Sequence, residues 1–119
     1  MTKGKIVLLP FPFDDLSTSK VRPALCPTNS LGKYRHVIVA FITSQQPNDL
    51  SESDLTIEST DSDFRQIGLR VTSVLRLHRL TTLPVSLIQR ELGHLSTSRQ
   101  KQVAAKLSKL FDLHQPSEN

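Results

Sequence analysis

Arg22 and Thr43 are the residues whose type and placement first suggest chemistry. Arg22-Pro23 stands at the head of an apolar segment, just after a polar loop, and Thr43-Ser44-Gln45 ends the next apolar segment. In an antiparallel pair joined by a short loop, the start of one strand lies beside the end of its partner. Arg22 and Thr43 then meet at one rim of a sheet. A guanidinium offers planar, always-charged donors and a hydroxyl a smaller, orientable one, so the two together suit a phosphate. The competing reading is a pair of solvated residues at strand ends, where Arg and Thr commonly sit.

The elements that must position this pair can be read along the chain. Ile6-Val7-Leu8-Leu9 is a short apolar run ended by Pro10 and Pro12, which predicts a buried strand over residues 5–9 with an irregular exit. Residues 10–20 are rich in turn formers and hydroxyl residues and predict a loop, mobile at its Ser17-Thr18-Ser19 tip. Residues 21–27 and 34–43 predict the second and third strands; the run Val37 to Ile42 is rich in β-branched residues and has no breaker. Leu55 to Glu58 alternates as a short strand, and residues 60–68 predict a loop or one helical turn. Residues 72–83, stopped by Pro84, favour a strand, and residues 87–95 a further one.

One clear helix follows. Thr97-Ser98-Arg99-Gln100 fits a capping box, with the Thr97 hydroxyl accepting from the Gln100 amide. Val103, Ala104, Leu107, Leu110 and Phe111 recur at helical spacing as one apolar stripe, with Arg99, Lys106 and Lys109 largely off it. Such a helix must dock on the sheet, since about four turns alone are marginal in water. The architecture expected is mainly β, α+β in outline: a curved antiparallel sheet or small barrel closed by a C-terminal helix. A single domain over residues 1–113 and a polar, frayed tail over 114–119 complete the division.

Composition bounds the partners. The chain has 119 residues, 37% hydrophobic and 22% charged, ordinary for one soluble globular domain. Formal net charge is +4, from fifteen Lys and Arg against eleven Asp and Glu, which suits an anionic partner such as nucleic acid. The acidic residues cluster at positions 49 to 63, so the remainder is more basic than the total suggests. Cys26 is the only cysteine, which precludes an intrachain disulfide and fits a reducing cytoplasm. Between Leu25 and Pro27 it reads as a buried small hydrophobe, with a nucleophile as the alternative. The N-terminus does not read as a signal peptide, and no apolar run is long enough to cross a membrane.

No phosphate-binding loop, dinucleotide fingerprint or paired-Cys metal motif is present. His36, His78, His94 and His114 lack ligand spacing, so neither zinc nor another cofactor is expected. The segment Arg76-Leu77-His78-Arg79 has two readings: a solvated strand face, or a phosphate-tracking groove in which Arg76 or Arg79 supplies charge and His78 stacks on a base.

The order of these pieces resembles the MazF/PemK toxins of type II toxin–antitoxin systems, the PemK-like branch most closely. The resemblance is carried by Gly4-Lys5-Ile6-Val7, Pro10-Phe11-Pro12-Phe13, Arg22-Pro23-Ala24-Leu25 and Ile42-Thr43-Ser44-Gln45. Gly68-Leu69 before Ser73-Val74-Leu75-Arg76-Leu77, and Leu92-Gly93-His94-Leu95-Ser96 before the helix, continue it to about residue 112. It implies an SH3-like barrel and a homodimer. It also implies a cytoplasmic, sequence-selective, metal-independent endoribonuclease that cuts single-stranded mRNA to a 2′,3′-cyclic phosphate and a 5′-hydroxyl. The family's catalytic pair maps onto Arg22 and Thr43. Arg22 then stabilises charge on the phosphate rather than acting as a base, and Thr43 orients the phosphate or the attacking hydroxyl. RNA contacts fall to Ser17, Ser19, Lys20, Ser44, Gln45, Arg76, His78 and Arg79. An acidic, disordered antitoxin is the implied protein partner.

Two departures stand out. Some relatives carry Glu or Gln just before the Arg-Pro step, where this chain has Ser19-Lys20-Val21, and relatives often have an acidic residue where His78 stands. Both changes make the expected groove more basic and its RNA binding more salt-dependent. Two other functions compete: a gyrase inhibitor on the similar barrel of the CcdB toxins, whose Trp-containing C-terminus this chain lacks, and a degenerate relative that only binds RNA or its antitoxin.

Overall fold

The computed structural model describes residues 2–10, 20–33 and 35–113. Six strands form one antiparallel sheet: β1 (Lys5–Pro10), β2 (Val21–Leu25), β3 (His36–Thr43), β4 (Asp54–Ile57), β5 (Ser73–Pro84) and β6 (Arg90–His94), in the order β4-β5-β3-β2-β1-β6. A single helical turn, α1 (Phe64–Ile67), precedes β5, a 3-10 turn (Val85–Leu87) precedes β6, and α2 (Thr97–Leu110) closes the chain. The expected curled, barrel-like sheet with a C-terminal helix is therefore present. The expected loop tip at 17–19 and the tail at 114–119 lie outside the described residues.

Curling explains why Ile6 to Leu9 and Val37 to Ile42 are continuous apolar runs rather than alternating ones. Ile6, Leu25, Ala40, Ile42 and Leu75 point to one core, which α2 covers through Val103 and Leu107. Val7, Leu9, Ala24, Val39 and Phe41 point to a second, covered by Leu83, Val85 and Ile88. Successive side chains of a strand face opposite sides, so a sheet with two cores needs apolar residues at every position. Two irregularities bend it. Residues 77–79 of β5 fall between the pairs Phe41↔Arg76 and Ala40↔Leu80, and Leu92 of β6 falls between Ile6↔Gly93 and Val7↔Glu91.

Gly68 and Gly93 set how closely α1 packs on β6. Gly68 ends α1 with φ +85°, and a Cβ there would stand 2.1 Å from the Leu92 carbonyl oxygen. A Cβ on Gly93 would stand 2.3 Å from the Gln66 carbonyl oxygen. Only backbone fits between the two elements, so residues 69–71 are laid directly against β6.

The helix starts one residue earlier than the capping box predicts. Ser96, not Thr97, is the N-cap, and its hydroxyl accepts from the Arg99 amide at 3.2 Å. The cause lies upstream: Leu95 is fully buried and its amide donates to the Gly4 carbonyl, so the chain leaves the sheet immediately afterwards. The Gln100 side chain then donates to the Leu95 carbonyl instead of closing a box. The apolar stripe is also shorter than expected. Val103 is buried, but Leu110 and Phe111 are 41% and 55% exposed.

Arg99 ties α2 to the α1 segment. Its Nε donates to Asp63 Oδ2 at 3.2 Å, its Nη2 reaches Asp61, and the Ser96 hydroxyl donates to the same Asp63 oxygen. The hydrogen bond from Arg99 holds the Asp63 carboxyl below its ordinary value of 3.8. A carboxylate whose folded pKa is depressed stabilises the fold above its unfolded pKa, and that contribution is lost as pH falls through the folded value. Asp63→Asn should therefore cost about 1–2 kcal/mol at neutral pH, with the gap between variant and parent closing below about pH 4. Urea denaturation of both proteins across that range checks it, and a gap independent of pH would contradict it.

Candidate active site

The β2–β3 ladder decides where Arg22 and Thr43 stand. Its pairs are Ala24↔Phe41 and Leu25↔Ala40. Continued by two residues, the same register sets Arg22 opposite Thr43, on the face that carries Ala24 and Phe41. Directly opposed residues have Cβ atoms about 5 Å apart. The ladder stops short of them at Pro23, which has no amide hydrogen to donate. On their outer sides Arg22 pairs with Leu9 of β1 and Thr43 with Val74 of β5, so both strand ends remain anchored.

The two side chains are differently prepared. Thr43 Oγ1 accepts from the Gln45 amide at 3.1 Å, which fixes the hydroxyl oxygen. Its only other contact among the described residues is to the Gln45 carbonyl at 3.5 Å, too long to engage the hydroxyl proton firmly. Arg22 is half-buried, and its guanidinium makes no hydrogen bond or ion pair with any described residue. Backbone register thus sets a fixed hydroxyl across from an arginine whose donors are not engaged by any described residue. Ser44 and Gln45 are exposed at the strand exit, and Lys20 is exposed at the entry to β2. Ser17 and Ser19 lie outside the described residues.

The basic segment of β5 is on the same face, because Arg76 pairs with Phe41. The Arg76 charge is met within the chain. Arg76 Nε donates to Asp54 Oδ1 at 3.0 Å, and the Asp54 side chain is only 2% exposed. The Ser51 amide donates to the other Asp54 oxygen at 2.8 Å, so this buried carboxylate is well satisfied. His78 joins the cluster: its Nδ1 lies 2.9 Å from Ser53 Oγ and its Nε2 3.5 Å from Arg76 Nη2. Arg79 lies 4.4 Å above the Phe41 ring. Asp54 and Ser53 carry no signal in the sequence, where they close a polar stretch; only the β4–β5 register, Asp54↔Arg76, reveals them.

On the opposite side of Pro23 a groove of about 380 Å³ opens, lined by Arg22, Pro23, Ile42, Ser44, Arg70 and Arg90 among others. Arg22 is thus shared between the Thr43 face and this groove. Cys26 takes no part: it is buried, and burial pushes its thiol up to about 11 against the pull of Lys5, so it is protonated at neutral pH. Among the described residues no three His, Cys, Asp or Glu side chains converge on a metal position, and no helix is long and apolar enough to cross a membrane.

The family model of the PemK-like, MazF-like toxins of type II toxin–antitoxin systems matches residues 2–111. The fold is similar to that of the Mycobacterium tuberculosis toxin MazF-mt6, at 23% identity and a TM-score of 0.69, covering 93% of this chain and 99% of that one. It is also similar to a mycobacterial endoribonuclease in complex with its cognate antitoxin, at 13% identity and a TM-score of 0.72, covering 98% and 99%. The MazE–MazF structure of Deinococcus radiodurans matches at 15% identity and a TM-score of 0.67, covering 96% and 97%. Against curated protein sequences the chain shows no significant match.

The Asp54–Arg76 pair should be a structural support of the site. Removing one partner of a buried ion pair leaves the other uncompensated, so Asp54→Ala should cost roughly 3 kcal/mol. Arg76→Ala added to it should cost little more. A double-mutant cycle by chemical denaturation reads the coupling, and additive losses would contradict a direct pair.

Proposed function

The chain belongs to the PemK-like, MazF-like toxins of type II toxin–antitoxin systems, and from that premise we propose that it is a sequence-selective, metal-independent endoribonuclease acting on single-stranded mRNA. The observation that carries this reading is the opposition of Arg22 and Thr43 where the β2–β3 ladder ends, with the guanidinium unengaged by any described residue. The mycobacterial neighbour that is an endoribonuclease supports it as an analogy of fold.

The reaction is an internal phosphoryl transfer. The RNA 2′-oxygen forms a bond to the adjacent phosphorus and gives up its proton. The bond from phosphorus to the 5′-oxygen breaks, and that oxygen takes up a proton. The products are a 2′,3′-cyclic phosphate and a 5′-hydroxyl. Charge accumulates on the non-bridging oxygens in the transition state, and a preorganised donor there is worth the most. Arg22 supplies it as a fixed cation, since a guanidinium is not deprotonated in a protein. Thr43, its oxygen held by the Gln45 amide, donates its free hydroxyl proton to the same phosphate and so orients it for in-line attack.

Regulation follows the same charge logic. An acidic, disordered antitoxin segment would compete for the cations that RNA uses, as charge complementarity at this rim favours. Ser44 and Gln45 at the strand exit, with Lys20, flank the reacting phosphate in this reading, and Ser17 and Ser19 are further RNA contacts that it expects. Arg79 lies above Phe41 on the face of Thr43, within the same tract. A homodimer completes the proposal, supported by the exposed Leu110 and Phe111 at the end of α2, apolar surface that a second copy can cover.

Arg22→Ala and Thr43→Ala should each lower the rate of RNA cleavage in EDTA by about 10²–10³ or more while leaving the thermal midpoint unchanged. A long single-stranded RNA and gel electrophoresis are enough. Near-parental cleavage by a folded Arg22→Ala protein would sink the assignment.

A further inference from the structure

We propose that the groove beside Arg22 is a nucleotide subsite in which Arg70 and Arg90 hold a phosphate neighbouring the scissile one. The proposal rests on RNA being the substrate, and it names two residues that neither the Arg-Pro step nor the basic segment of β5 points to.

Strand register builds the groove. Leu8 pairs with both Arg90 of β6 and Pro23 of β2, so Arg90, Leu8 and Pro23 form one row across the sheet, on one face. With strands about 4.8 Å apart, the Arg90 and Pro23 backbones are about 10 Å apart. Arg22 follows immediately in the next row, facing Thr43. Arg70 comes from the other wall. It lies two residues after Gly68, whose contact with the Leu92 carbonyl presses that segment onto β6. The two arginines therefore come from different parts of the chain and line one groove with Arg22.

Three features select a nucleic acid strand as the occupant. First, among the described residues no acidic side chain lines the groove, and neither Arg70 nor Arg90 makes an ion pair or hydrogen bond with any of them. Elsewhere Arg76 and Arg99 are bound to Asp54 and Asp63, and Lys109 to Glu52. Second, the floor between the cations is apolar, from Leu8, Pro23, Leu69 and Leu92. A guanidinium plane beside an apolar floor suits an unstacked base with its phosphate, whereas a carboxylate peptide needs the charges but not the floor. Third, the groove is continuous with Arg22, so a strand whose phosphate reacts at Arg22 and Thr43 lays its neighbouring nucleotide here.

The test is fluorescence anisotropy with a labelled, random-sequence 2′-O-methyl RNA, which cannot be cleaved because its 2′-oxygen is blocked. Binding is measured over a range of salt for the parent, for Arg70→Ala/Arg90→Ala and for Arg65→Ala/Lys101→Ala. The last pair removes the same charge from exposed positions that do not line the groove. The groove variant should bind at least about tenfold more weakly at low salt, with the salt slope reduced by about 0.7 for each phosphate that the protein no longer neutralises. The control should stay near the parent, and both should unfold at the parental temperature. Equal weakening in the two variants, or none in the groove variant, overturns the subsite. So does a groove variant that keeps RNA affinity but loses affinity for a poly-glutamate peptide, which would assign the groove to an acidic protein. Cleavage of unmodified RNA by the parent is scored separately. A parent that binds through these arginines yet cleaves nothing removes the ribonuclease reading and leaves the subsite standing.

Discussion

The pairing of β2 with β3 is the constraint on which the site depends. Ala24 and Phe41 are buried on one face of that ladder, Leu25 and Ala40 on the other. A slip of one residue would move each apolar side chain to the wrong core, so burial on both faces locks the register more firmly than a one-sided sheet could. Arg22 and Thr43 are carried two residues beyond the locked pairs, where Pro23 ends the ladder. The rigid part of the sheet thus aims two polar side chains at a place where the strands no longer bond to each other. A ligand can enter there without breaking a hydrogen bond of the fold.

Charge is distributed with a similar division of labour. The acidic block at 49–63 reads in the sequence as a negative surface, but its Asp54, Asp61 and Asp63 are turned toward arginines of the fold. Asp54 holds Arg76, Asp61 and Asp63 hold Arg99, and Glu52 holds Lys109. These contacts fasten the β4 and α1 segments to β5 and α2. Arg22, Arg70 and Arg90 have no partner among the described residues, and they gather along one groove. A net charge of only +4 is therefore compatible with a locally strong positive field.

Much of this is legible in the sequence. The strands, their order of appearance and the opposition of Arg22 and Thr43 follow from apolar runs, prolines and the geometry of an antiparallel pair. The basic run Arg76 to Arg79 is visible as charge, but the pairing of Arg76 is not, because Asp54 lies far from Arg76 in the chain and meets it only through register. Arg70 and Arg90 are invisible as a pair for the same reason: one depends on the close approach of Gly68 to β6, the other on the β1–β6 ladder. The helix boundary moves from Thr97 to Ser96 because the burial of Leu95 outweighs the local capping pattern. Leu110 and Phe111 keep helical spacing without finding a core, since spacing predicts a face and not what packs against it.

In the proposed reaction the RNA itself supplies the nucleophile while Arg22 and Thr43 hold the phosphate. Mass spectrometry of the ends of RNA fragments produced in EDTA tests this directly. The expected ends are a 2′,3′-cyclic phosphate on one fragment and a 5′-hydroxyl on the next. Fragments ending in a 3′-hydroxyl and beginning with a 5′-phosphate would contradict it, because those ends require water and not the 2′-oxygen to attack phosphorus.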